Sequence, residues 1–325
     1  MSCVNLAHHV VRRPRPLSVT KKTSRRTSEQ GQPSSAMQVG SYVVNTMIKL
    51  ASVMAVVAVA ALQTLSHALS QQRPEVNGIL GPPTANTCFW TDRAFKNIQE
   101  RGPANAAGII LWSHGQAANR QRSWQFGAPP IIRLFADRGW DVVLAQRNER
   151  CSGNWNERGR EYVANLVEEV AKAKNAGYRR IIVAGQSFGA AAALGATAMT
   201  KDIDGVISFA LSHGRGSCRN PKTFRSEMIP FHEQMIKTSI AESLAPRILI
   251  SMGKDDHCVG VTFTPLVAES LASKNIPYIH FDESMRQTGH GAAVSSEFAT
   301  TYGECVLDFF VRTVPLPPGR HVCAW

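Results

Sequence analysis

The chain has 325 residues, with 36 Lys or Arg against 24 Asp or Glu, for a formal net charge of +12. Eight of the basic residues and one Glu fall in residues 1–68, so the remainder carries +5. It has neither a basic helix nor a basic stripe interleaved with aromatics, which argues against a nucleic-acid partner. The length would allow two domains, but mixed α/β architectures often run to about 250 residues as one unit, so one large domain behind an N-terminal extension also fits.

In chain order, Arg12, Arg13, Arg15, Lys21, Lys22, Arg25 and Arg26 lie among serines, threonines and prolines, with Glu29 as the only acid. Such a segment cannot bury a core and reads as a basic disordered extension over 1–46. Met47-Ile48-Lys49 then makes a short positive start, Leu50 to Leu62 is an uncharged apolar run, and Ser66-His67-Ala68 offers small residues at the −3 and −1 positions. This is the anatomy of a secretory signal peptide over 47–68, with Met47 as the expected biological start. The apolar run is shorter than the roughly 20 residues that span a bilayer, which leaves an N-terminal membrane anchor as the alternative. If residues 1–46 belong to the protein, their arginines favour a cytoplasmic N-terminus.

The expected location is therefore periplasmic or secreted. Of seven cysteines, Cys3 lies in the extension; Cys88, Cys151, Cys218, Cys258, Cys305 and Cys323 form an even set. Behind a signal peptide such a set suggests up to three disulfides, and none has the Cys-x-x-Cys spacing of a zinc or redox site.

After a lead-in over 69–104, apolar strand candidates alternate with helical stretches, the rhythm of a parallel sheet covered on both faces. Strands are predicted at 107–113, 141–145, 180–184, 206–211, 247–252 and 278–281. Helices are predicted at 129–138, 161–176, 190–199, 264–272 and 295–311. Tyr162, Val163, Leu166, Val167, Val170 and Ala173 make one apolar face of the second helix. Thr264-Pro265 supplies a cap and first helical position. The stretch 214–244 is long for a connection, and reads either as a short cap over a substrate pocket or as an excursion with one ordinary helix.

The segment with most chemical content is Gly185-Gln186-Ser187-Phe188-Gly189, between the apolar run Ile181-Ile182-Val183-Ala184 and an alanine-rich helical run. Such a pattern in that context is a nucleophile elbow: the serine takes a strained, left-handed conformation, and the glycines are needed where strand and helix pass too close for side chains. An acidic pair, Asp255-Asp256, follows the strand at 247–252, and His290 lies a short loop beyond the strand at 278–281.

Residues 105–312 thus resemble the α/β-hydrolase superfamily, whose triad runs nucleophile, acid, histidine, each after its own strand. The resemblance implies a mostly parallel sheet of about eight strands, with catalytic Ser187, Asp256 and His290. Asp256 is preferred because Gly253, Asp256 and Val259 fit the family's Gly-x-x-Asp-x-x-Val; Asp255 stays open as the alternative. Ser113-His114-Gly115-Gln116 resembles the family's His-Gly loop. That implies a structural His114 and an oxyanion hole made by the N–H groups of Gln116 and Phe188. His213 comes too early for the family order, and His257 reads as solvent-facing or structural.

A metal site at Asp255, Asp256 and His257 would be a poor cage, so neither metal nor cofactor is expected. The family's strand order would set Cys218 beside Cys258, and a Cys305–Cys323 bridge would clamp the last helix to the tail. The expected function is exported serine-hydrolase action on a carboxylic ester or related acyl bond of a small-molecule or acyl substrate. A peptidase or acyltransferase on envelope material, and a catalytically silent binding protein of the same fold, remain as alternatives. Membrane contact is expected only through residues 47–68, and the sequence leaves the oligomeric state open.

Overall fold

The computed structural model describes residues 88–116, 126–148, 155–212, 233–234, 236–253, 255–256, 258, 264–282 and 284–323. Residues 1–46, the signal-peptide stretch 47–68, His213, His257, Val259, Cys3, Cys151, Cys218 and most of the 214–244 excursion lie outside the described residues.

Among the described residues eight strands form one sheet: β1 (Phe89–Arg93), β2 (Ile109–Ser113), β3 (Asp141–Arg147), β4 (Ile181–Gln186), β5 (Gly205–Phe209), β6 (Ile248–Ser251), β7 (Pro277–Phe281) and β8 (Gly319–Arg320). Their spatial order is β1-β3-β2-β4-β5-β6-β7-β8. Every pairing is parallel except β1 with β3, where Phe89 faces Arg147 and Arg93 faces Val143. The helices are α1 (Pro130–Asp137), α2 (Trp155–Asn175), α3 (Phe188–Thr197), α4 (236–242), α5 (Thr264–Ala272) and α6 (Ser296–Val311). Among the described residues no helix is long and apolar enough to cross a membrane.

The central strands are near-continuous apolar runs because both faces are covered. Alternate side chains feed two cores. Ile109, Leu111, Ile181 and Val183 pack with Leu166 and Val170 of α2, Ala193 and Leu194 of α3, and Leu271 of α5. Ile110, Trp112, Ile182 and Ala184 pack on the other side with Ile131 and Phe135 of α1 and with Phe298, Tyr302 and Val306 of α6. In this second core Phe298 is fully buried, its ring centroid 5.1 Å from Phe281, 5.0 Å from Tyr302 and 5.7 Å from Phe209. Phe298→Ala is expected to destabilise the protein by about 3–5 kcal/mol, read as a lower urea midpoint at unchanged m-value.

The end of the long excursion is core rather than cap. Ile236 and Ile240 of α4 are fully buried in the first core, so this part of 214–244 follows the ordinary-helix reading. α2 begins six residues ahead of the expected start at Glu161, a start hidden from the sequence because residues 156–160 include Gly159 and offer no apolar stripe. β3 continues beyond Ala145 through Gln146 and Arg147, both buried although polar. β1 and β8 are edge strands, and neither carries an apolar run. Thr264 opens α5 as expected, but its buried hydroxyl has no hydrogen-bond partner among the described residues and does not cap the helix. Ser295 does cap α6, accepting from Phe298 N at 3.1 Å.

Cys305 of α6 is bonded to Cys323 in the tail, across 18 residues of sequence. Two arginines from the N-terminal ends of the strands satisfy the last carbonyls of the same helix. Arg180 donates to Phe310 O and, at 2.8 Å, to Val311 O; Arg247 donates to Phe309 O at 2.6 Å. Terminal helix carbonyls need such partners, and cations complement the helix dipole there.

Candidate active site

β4 passes the chain to α3 through a single residue. Ser187 holds φ 56° and ψ −118°, a left-handed backbone that costs an L-residue on the order of 1–2 kcal/mol. Three hydrogen bonds fix it: its N–H donates to Phe209 O at 2.9 Å, and its carbonyl accepts from the N–H groups of Ala191 (3.1 Å) and Ser212 (3.3 Å). The glycines answer a steric demand. A Cβ on Gly185 would lie 2.3 Å from the carbonyl of Gly189, and one on Gly189 would lie 2.2 Å from Ser113 O.

The turn stands where the strand order reverses. From β2 the chain moves outward to β3, then returns past β2 to β4 and continues the other way. In open α/β sheets ligands bind at the C-terminal ends of strands at such a switch point. An antiparallel edge strand, a reversed pair of inner strands and a strained serine turn after the next strand together decide the architecture. The chain has the α/β-hydrolase fold.

By sequence, no protein-family model and no curated protein matches it. Among solved structures it is similar to a Pyrococcus furiosus esterase at 16% identity and TM-score 0.46, over 64% of this chain and 82% of that one. It is similar to the Pyrococcus horikoshii acylaminoacyl peptidase at 15% identity and TM-score 0.47, over 70% of this chain and 39% of that one. A third is Est1E from Butyrivibrio proteoclasticus, at 14% identity and TM-score 0.42, over 68% of this chain and 89% of that one.

In this fold the loops after β2, β4, β6 and β7 converge. Gly115 lies against the elbow: a Cβ added to it would meet Gln186 Oε1 at 2.1 Å and Ser187 Cβ at 3.0 Å. Gln116 follows it, half-buried, while Phe188 is buried as the first residue of α3. The acid loop and the histidine loop touch through Gly253, whose added Cβ would lie 2.6 Å from Gly289 O.

Asp256, 1% exposed, faces the Nδ1 of His290 with both carboxylate oxygens, at 3.0 and 3.1 Å. It also accepts from Cys258 N at 2.9 Å. Asp255 instead points its side chain to solvent from a left-handed backbone, φ 58°. His290, with 18% of its side chain exposed, is tied to the elbow by Gln186, whose Nε2 donates to His290 O at 3.2 Å. No hydrogen bond joins Ser187 Oγ to His290 here; in free enzymes such contacts often tighten only with substrate in place.

Cys258 is disulfide-bonded, as is Cys88. The strands ahead of Cys218 and Cys258 are neighbours, β5 beside β6, although Cys218 itself lies outside the described residues. Asp256, Cys258 and His290 bring potential ligand atoms within 4.8 Å of one another. With its sulfur in a disulfide, Cys258 offers no thiolate, and two remaining ligands make no cage.

His114 is 3% exposed. Its Nδ1 lies 2.7 Å from Gly115 O, which fixes the Nδ1–H tautomer if the ring is neutral. Burial, reinforced by the Arg147 charge, holds its pKa well below the ordinary 6.5. The sign follows directly. Below pH 6.5 the unfolded chain takes up a proton that the folded chain refuses, so stability falls as pH falls from about 6.5, with a slope of up to about 1.4 kcal/mol per pH unit for one such group. Urea titrations between pH 7.5 and 5 test this, and a His114→Asn variant is expected to show a flatter dependence than the wild type.

Two residues at the site escaped the sequence reading. Gln186 links the elbow to the histidine loop, and its only signal was its place between Gly185 and Ser187. Arg147 reaches from the end of β3 to His114 and Phe188, and a polar residue past an apolar strand gave no hint of burial.

Proposed function

We propose that the protein is a serine hydrolase acting on carboxylic esters. The observation that carries the reading is Ser187 in its strained turn, with buried Asp256 paired to His290 on the adjoining loops. A serine hydroxyl is a poor nucleophile at neutral pH until an imidazole takes its proton. In this reading His290 accepts the Ser187 proton as Oγ attacks the acyl carbon, and Asp256 holds the tautomer with a proton on Nδ1 and stabilises the imidazolium. The backbone N–H groups of Gln116 and Phe188 receive the developing oxyanion; one such donor is typically worth about 3 kcal/mol of barrier. His290 then returns the proton to the leaving alcohol, and a water activated the same way releases the acid from the acyl-enzyme.

We place this enzyme outside the cytoplasm. The support is the leader anatomy of residues 47–68 together with the state of the described cysteines: Cys88, Cys258, Cys305 and Cys323 are all disulfide-bonded, which oxidising compartments favour.

A fluorophosphonate probe tests the chemistry directly. The expected result is one adduct, mapped by mass spectrometry to the peptide containing Ser187. Folded wild-type protein that takes no label would overturn the reading in favour of a silent binding protein. A graded series of p-nitrophenyl esters, run beside p-nitroanilides, then separates an esterase from a peptidase.

A further inference from the structure

The guanidinium of Arg147 is buried in the protein, 4% exposed, at the C-terminal end of β3. Its Nη1 donates to His114 O at 2.8 Å. Its Cζ lies over two aromatic rings, 4.5 Å from the centroid of Phe188 and 5.1 Å from that of Tyr162. The two rings stack at 6.0 Å, and Phe89 of β1 also stacks on Tyr162, at 5.5 Å. The Tyr162 hydroxyl donates to Ala145 O at 2.6 Å and sits 2.9 Å from the Ser113 hydroxyl, one residue before His114.

This arrangement is costly as packing. A charge taken out of water is repaid only with good geometry, and an apolar side chain of similar volume commonly serves stability as well or better. What the charge gains here is a connection between two chain segments that otherwise belong to different loops. One is His114-Gly115-Gln116; the other is Phe188, the residue directly after Ser187. On the functional reading above these segments carry the two oxyanion donors, which must stand about 2.7–3.1 Å from one oxygen atom. A carbonyl bond to one segment and a cation–π contact to the other fix their separation, and the planar fork of Arg does this in a way a Lys ammonium does not.

We propose that Arg147 is a positioning residue for the oxyanion hole, clamping the loop of Gln116 to Phe188. This inference rests on Ser187 being the nucleophile. Positioning of this kind acts on the transition state and hardly at all on ground-state binding, so it predicts a split between kinetic constants.

The test compares the full-length wild type with Arg147→Met, Arg147→Lys and Ser187→Ala, each checked for folding by circular dichroism at the assay temperature. Hydrolysis of p-nitrophenyl acetate is measured alongside inhibition by phenylboronic acid, whose serine adduct is tetrahedral. For Arg147→Met the expected result is a kcat lowered about 10- to 100-fold, with KM within about twofold and boronate affinity lost in parallel; Arg147→Lys falls between. A folded Arg147→Met with kcat and boronate affinity both within about twofold of wild type overturns the proposal. So does loss of fold in both Arg147 variants, which would make the residue structural. A fully active Ser187→Ala strikes the parent reading instead, whereas an inactive Ser187→Ala beside a fully active Arg147→Met strikes this inference alone.

Discussion

Ser187→Ala is expected to lower kcat for p-nitrophenyl ester hydrolysis by about 10³- to 10⁶-fold, the range seen when the nucleophile of a triad is removed. KM for whatever activity remains should change little, because the acyl group still meets the same pocket. The backbone adds a second expectation. At φ 56° an L-residue is strained whatever its side chain, so alanine gives no relief, while glycine adopts this region without steric cost. Ser187→Gly is therefore expected to be as inactive as Ser187→Ala, yet more stable than it by about 1 kcal/mol. Urea unfolding of the two variants side by side reads the difference. Equal stabilities would show that the turn is not strained, and turnover retained in either would remove Ser187 from the mechanism.

Asp256→Asn carries the other large effect, a fall in kcat of about 10⁴-fold with the fold intact. The amide is nearly isosteric, but it can present an N–H toward His290 Nδ1 where the carboxylate accepts, so the ring adopts the wrong tautomer and its cation loses a counter-charge. Asp255→Asn is the internal control. Its side chain is exposed, on a left-handed backbone one residue before the carboxylate that faces His290, so kcat and KM should stay within about twofold of wild type, as for other surface changes. The reverse pattern, a silent Asp256→Asn and a damaging Asp255→Asn, would transfer the acid's role to Asp255. Two strong losses would mean that the loop responds as a unit.

Much of the architecture was legible because the physics that writes it is local. Ile109 to Trp112 and Ile181 to Ala184 are apolar without interruption, as strands covered on both faces must be, and Thr264-Pro265 marks the start of the helix at Thr264–Ala272. The elbow was legible for the same reason: two glycines at fixed spacing around a serine announce a close crossing before any coordinates exist. What escaped was set by tertiary contact. Phe89–Arg93 carries Thr91, Asp92 and Arg93 and becomes a strand only because β3 lies alongside it. Gln146 is polar and yet buried in β3, and Arg147 is drawn inside by His114, Tyr162 and Phe188, which lie far away in sequence. The preference for Asp256 over Asp255 could be drawn from the spacing to Gly253, and the structure sets Asp256 against His290, but the left-handed backbone at Asp255 is an angle that two adjacent aspartates do not reveal.

The sheet also divides labour along its length. Ser187, Asp256, His290 and Gln116 follow the C-terminal ends of their strands. At the opposite ends Asp141 receives Arg101 N, Gly102 N and the Tyr178 hydroxyl, while Arg180 and Arg247 hold the end of α6. For protein engineering this amounts to two libraries that need not interfere. Substitutions at the anchoring end can be screened by heat survival alone, and those at the opposite end by turnover alone. Because sites this far apart generally combine additively, winners from the first can be carried into the second without rescreening the pairs.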